Sequence, residues 1–223
     1  TDRMSSLPFG ELPPFKPRRF VPEKIDLGDY TAIGPLFDQL NTQAARAGTP
    51  EELERWVLDW GELSAALDEE SSRRYIAMTC HTDDLTAEKA YLHFIEEVEP
   101  RLKPRQFELE RIYLDHPIRE QLSRARFAVF DRQLRVHVEL YRDENVPLET
   151  EESRLGQQYQ KLTGSLAVSF RGEERTLVQM SRYLEEPDRS LRQEAWELVA
   201  RRRLKEADQF DEQFEGMLRL RER

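Results

Sequence analysis

Apolar residues recur along most of this chain at intervals of three and four, and the places where that rhythm fails mark out its elements. Between Leu7 and Pro22, Pro8, Pro13, Pro14, Pro17 and Pro22 punctuate Phe9, Phe15 and Phe20. Such spacing forbids a helix and predicts an extended arm over residues 1–28, strapped by its aromatic residues across another surface. Asp29 is placed to cap a helix carrying Ile33, Leu36, Phe37 and Leu40, with Gly34-Pro35 as an alternative start and Ala47-Gly48 as its close. Thr49-Pro50-Glu51-Glu52 combines an N-cap, a proline at the first helical position and a capping-box glutamate. The stripe that follows, Leu53, Trp56, Val57, Trp60, Leu63 and Leu67, makes both tryptophans core anchors.

Asp68-Glu69-Glu70 reads as a break, after which Tyr75, Ile76 and Met78 carry a new run to Thr82-Asp83-Asp84. Thr86 is placed to cap the next helix, whose Tyr91, Phe94, Ile95, Val98 and Leu102 keep the period, while Pro100 and Pro104 predict a kink. His116-Pro117 ends that run; Phe127, Phe130, Leu134, Val138 and Tyr141 extend a further one to a turn at Asn145-Val146-Pro147. Thr150 then opens a helix with Leu155, Tyr159 and Leu162 on its buried face.

The period changes once. Leu166, Val168 and Phe170 alternate with Ala167 and Ser169, Gly172 supplies turn chemistry, and Thr176 with Gln179 forms a second capping box. Helix, short hairpin near residues 165–176, helix is the local expectation, and Leu166, Val168 and Phe170 should pack inward. From Asp188 one helix of more than thirty residues is expected, carrying Leu191, Ala195, Trp196, Val199, Leu204, Phe210, Phe214 and Leu218 to the last residue without a stop signal. The fold class is therefore all-α, a multi-helix array with one β-hairpin, and the unfinished stripe reads as a cut inside a larger protein. Thr1–Arg3 ahead of Met4 read as an added remnant.

Charge narrows the function classes. Against 34 Lys and Arg stand 44 Asp and Glu, a net charge of -10, which argues against general nucleic-acid affinity. No apolar run is long enough for a membrane span and no leader opens the chain, so a cytoplasmic protein is expected. The single cysteine, Cys80, fits a reducing compartment and, beside Met78, reads as a small core residue.

Candidate chemistry is sparse. His81, His93, His116 and His137 are scattered, no H-E-x-x-H pair exists, and His93 with Glu96 or Glu97 supplies two ligands at most. Cys80 and His81 are neighbours whose side chains diverge on a helix, and Gly164 and Gly172 are isolated, which excludes a phosphate loop. No catalytic and no metal residue is assigned.

Longer blocks carry a resemblance. The runs LDWGELSAALDEESSRRYIAMTCHTDD, AYLHFIEEVEPRLKP, ENVPLETEESRLGQQYQKLTGSLAVSFRGEERTL and YLEEPDRSLRQEAWELVARRR resemble the N-terminal half of oligoendopeptidase F-like zinc metallopeptidases of the thimet-oligopeptidase family. Its most specific part runs from Phe170 to Leu177 with Pro187-Asp188-Arg189. The resemblance implies that residues 29–223 are the helical N-terminal region of an M3-type oligopeptidase, truncated before its catalytic domain. It also implies that zinc and the H-E-x-x-H helix belong to the full-length parent, and that this region walls a channel admitting short peptides. The chain is expected to be inactive alone, with the missing catalytic domain and short peptides as partners. Tyr159, Phe170, Arg171 and Glu173 are the candidate channel-facing or interdomain residues, and the exposed last stripe is the surface through which a fragment would self-associate. A stand-alone helical scaffold or binding module without activity is the alternative.

Overall fold

The computed structural model describes residues 17–223. Pro8, Phe9, Pro13, Pro14 and Phe15 of the expected arm lie outside the described residues. The helices are α1 (Tyr30–Arg46), α2 (Pro50–Cys80), α3 (Leu85–His93), α4 (Glu99–Asp115), α5 (Arg124–Leu140), α6 (Asn145–Gly164), α7 (Leu177–Met180), α8 (Arg189–Lys205) and α9 (Ala207–Arg221). A π turn at Phe94–Val98 joins α3 to α4, and strands β1 (Ala167–Phe170) and β2 (Glu173–Thr176) form a two-stranded antiparallel sheet. The protein is thus all-α with one hairpin, as its periodicity predicts.

Caps explain most of the starts. Asp29 accepts from the Thr31 amide and begins α1, which runs through Pro35 without a later start. Thr49 and Glu52 close the reciprocal capping box at the head of α2. α2 then continues to Cys80 across the acidic triplet where a break was expected. Glu69 and Glu70 are good helix formers, and each takes the arginine one turn on, Arg73 at 2.6 Å and Arg74 at 2.7 Å. Cys80 itself is exposed, while Met78, two residues earlier and on another side of the helix, occupies the buried place.

Three further boundaries differ from the expectation. Asp84, not Thr86, caps α3, accepting from the amides of Thr86 and Ala87. α6 begins at Asn145 and tolerates Pro147 because the first four N–H groups of a helix have no acceptor within it. The single long terminal helix is two, parted at Glu206 with φ -106 and ψ 12. Where a kink was anticipated at Pro100 and Pro104, a π turn precedes Pro100, the Glu99 amide bonding the carbonyl of Phe94 five residues back, and α4 runs through Pro104 without a break.

The main core gathers α1, α2, α4 and α5 around Trp56, Phe37, Leu40, Leu109 and Tyr113. Trp56 packs at a tilt against Trp60, ring centroids 5.5 Å apart, and donates its indole N–H to the Leu40 carbonyl at 2.9 Å. A second cluster joins the hairpin to α7 and α8 through Val168, Phe170, Met180 and Ala195. A third, smaller one holds Met78, Tyr91 and Ile95. α9 lies along α6, closing the far end of the chain.

Described residues of the arm are fastened to α2. The Glu62 carboxylate accepts the backbone N–H groups of Arg19, Phe20 and Val21 at 2.8–2.9 Å. Beside it Arg19 reaches Asp59, a carboxylate only 7% exposed. Burial pushes the Glu62 carboxyl up, but the three amides and the Arg19 guanidinium overcome it and hold its pKa below the usual range.

Candidate functional site

The hairpin tip is the most sharply formed exposed feature. β1 and β2 pair Phe170 with Glu173, leaving Arg171 and Gly172 as a two-residue turn with φ of 53° and 86°. Positive φ at both positions is the twist that a right-handed hairpin needs, and Gly172 supplies it without a Cβ penalty. Arg171 and Glu173 are exposed, the arginine lying over the Phe170 ring at 5.4 Å and the glutamate pairing with Arg175 on its own strand. Phe170 is 2% exposed and packs on Tyr183, 4.7 Å between rings, so it belongs to the interior with Leu166 and Val168 and leaves the group of channel-facing candidates. α8 grips the hairpin from behind, as Arg202 donates to the Ala167 carbonyl at 3.2 Å.

Tyr159 lies on the outer side of α6 instead of its buried face, meeting Phe210 of α9 edge-on at 6.1 Å. Gln157 takes the buried place and donates to Glu88 at 2.7 Å. The four residues singled out from the sequence therefore do not form one site. Arg171 and Glu173 sit at the hairpin tip, Tyr159 on the α6–α9 face, and Phe170 in the core.

Large apolar side chains remain uncovered on the C-terminal helices. Trp196 is 62% exposed, Leu204 73%, Phe214 64% and Leu218 47%. Trp196 and Leu204 are eight residues apart on α8, and Phe214 and Leu218 four apart on α9, so each pair lies along one helical stripe. Both stripes face solvent.

Three polar groupings have no plain signal in the sequence. Glu110, 7% exposed on α4, meets His137 of α5 at 2.6 Å, and burial raises its pKa above the carboxylate range despite the imidazole. Tyr141 stacks on Phe107 at 4.1 Å and donates to Asp143 at 2.9 Å; burial and that bond push its hydroxyl up to about 12. Along the outer side of α5, Arg124, Arg132 and Arg135 line two adjoining cavities of about 320 and 290 Å³. Asp59 alone could have been flagged from the chain, being a carboxylate three residues past Trp56 on a buried stripe.

The donor set for a metal does not assemble. No group of three or more His, Cys, Asp or Glu suited to a metal ion occurs among the described residues. His116 lies 3.2 Å from the Ala44 carbonyl, to which its Nε2–H donates, and His137 has only Glu110 beside it. These residues do not fit the zinc site of a peptidase.

Residues 20–141, more than half of the chain, match the Peptidase M3 N-terminal domain. The chain belongs to this family. Its matched part runs from the strapped arm through α5, and the hairpin and the C-terminal helices follow it. No curated protein gives a significant match. Among solved structures, PZ peptidase A bound to an inhibitor superposes with a TM-score of 0.80 at 25% identity, over 91% of this chain and 36% of that one. A protein described as oligoendopeptidase F gives 0.80 at 24% identity over 92% and 36%. Its counterpart from Bacillus anthracis gives 0.80 at 22% over 89% and 36%. The last two show the fold alone, and they extend the likeness of this M3 N-terminal domain through α6–α9. The chain spans about a third of the length of each structure that it matches.

Proposed function

We propose that this chain is the N-terminal wall of a cytoplasmic zinc oligoendopeptidase, docked in the whole protein to a catalytic portion and bordering the channel that admits short peptides. The observation that carries the docking is the pair of solvent-facing stripes, Trp196 with Leu204 on α8 and Phe214 with Leu218 on α9, large apolar side chains of the kind that an interface covers. Supporting it, solved structures of the same fold are about two and a half times as long, and His116 and His137 are tied into structural contacts. In such a parent zinc would supply Lewis-acid polarisation of the scissile carbonyl, from ligands outside this chain. The contribution of this chain is position: Arg171 and Glu173 at the hairpin tip, and Tyr159 on α6, are the side chains it offers toward the channel or the catalytic portion.

Mixing the purified chain with zinc and an unstructured peptide tests this reading, and no turnover is expected. Adding the downstream portion of the protein should restore hydrolysis that a chelator abolishes and shift Trp196 fluorescence to the blue as its surface is covered. Chelator-sensitive hydrolysis by the chain alone would overturn it.

A further inference from the structure

α5 buries only Phe127 and Leu134 fully, so one long side of this 17-residue helix is open. Positions 124, 128, 132 and 136 follow one another at single-turn spacing on that side, as Arg124, Ala128, Arg132 and Val136. Arg135 stands beside them, and all three arginines are exposed. None of the three has a carboxylate within ion-pairing distance among the described residues, whereas Arg126 on the same helix pairs with Glu54. The acid between them is already engaged: Asp131 accepts the Tyr113 hydroxyl at 2.6 Å and Arg119 at 3.4 Å. Ser123 gives the start of α5 no side-chain cap, so the partial positive charge of the helix N-terminus adds to the same end. In a protein of net charge -10, cations left unpaired beside small apolar side chains are an acceptor surface for carboxylates carried on an extended apolar backbone.

The geometry points to the outer side of α5, through Arg124, Arg132 and Arg135, as a docking surface for acidic peptides. This rests on the reading that the chain borders a peptide channel, and it names the charge class of peptide that the wall selects. The two adjoining cavities share Arg124, Asp131 and Arg135, which makes a continuous shallow groove along the helix. Ala128 and Val136 lie between the arginines along the groove, with Glu120 and Glu139 also among its lining residues, so the carboxylates of a peptide meet the guanidinium forks while its backbone lies on the helix.

Fluorescence anisotropy of a labelled decapeptide of alternating glutamate and alanine, titrated with this chain at low salt, tests the assignment. Binding is expected, weakening as salt is raised, with no binding of the lysine–alanine counterpart. R132E/R135E should weaken it about tenfold, while R111E/R203E, an equal charge change at exposed positions elsewhere, leaves it within about twofold. Circular dichroism of both variants should match the parent. Equal binding by the parent and R132E/R135E, or no binding of the acidic peptide, overturns the proposal. Equally tight binding of a ten-residue deoxythymidine strand overturns it in favour of a general polyanion surface. Hydrolysis by the reassembled whole protein tests the wall reading separately, since it does not depend on the charge of the peptide.

Discussion

Glu62 takes the backbone N–H of Val21 at 2.8 Å, and with the amides of Arg19 and Phe20 on the same carboxylate it converts one helix residue into a clamp for the incoming arm. Three charge-assisted bonds to main chain cannot be replaced by a neighbouring side chain. Glu62→Ala should cost about 2–3 kcal/mol, lowering Tm by several degrees in a chain of this length. Hydrogen exchange should rise selectively at residues 19–21. The pH dependence has a definite sign: because the folded pKa is lowered, the contribution is complete above the ordinary glutamate range and is lost as pH falls through the depressed value. Unchanged exchange at residues 19–21 in the variant would show that the arm is held by its apolar contacts instead.

Trp56 combines the largest buried side chain with a satisfied indole N–H. Trp56→Phe removes the bond to Leu40 and leaves its carbonyl short of a partner, for a loss of about 1–3 kcal/mol. Trp56→Ala adds the cavity and should cost about 3–5 kcal/mol. Urea unfolding followed by circular dichroism separates the two, and an unchanged stability in Trp56→Phe would mean that the hydrogen bond contributes nothing beyond packing.

The hairpin turn carries its strain at Arg171, whose φ of 53° is unusual for a residue with a long side chain. Arg171→Asn should raise stability by about 0.5 kcal/mol, asparagine being favoured beside glycine in this turn. Gly172→Ala should lower it by about 1 kcal/mol or more. Thermal unfolding reads both, and a stabilising Gly172→Ala would contradict the positive φ assigned there.

Glu110 should make the protein less stable as it ionises. Its folded pKa is raised by burial, so the stability it contributes is complete below the ordinary glutamate range and is lost as pH rises through the elevated value. Glu110→Gln keeps a partner for His137 without a buried charge. The variant should therefore melt higher than the parent at pH 7 to 8, with the gap closing toward pH 4. A gap that widens on acidification would reverse the sign.

Helix positions and the hairpin were legible because caps and periodicity are local chemistry. Asp29, Thr49, Thr176 and Asp188 each cap a helix, as their spacing predicts. Where local rules compete, the tertiary context decides. Acidic residues at 68–70 are compatible with either a break or a continuing helix, and the arginines one turn on choose the latter. At Glu206 the apolar rhythm runs through without a glycine or proline, so nothing in the sequence marks the break that lets α9 fold onto α6. Surface groupings were the least legible: the α5 arginines resemble any solvated run until α4 and the turn after it supply Tyr113 and Arg119 to occupy Asp131.

The π turn at Phe94–Val98 sits where two cores meet. Tyr91 and Ile95 enter the small cluster with Met78, whereas Phe94, Val98, Leu102 and Leu109 enter the main one. An ordinary helix advances about 100° per residue, so the one extra residue held in this turn rotates everything upstream by about that angle relative to α4. The turn is thus an indexing joint in an otherwise continuous rod. Removing a single residue there would leave every side chain of α3 intact and aim the whole segment at the wrong neighbour.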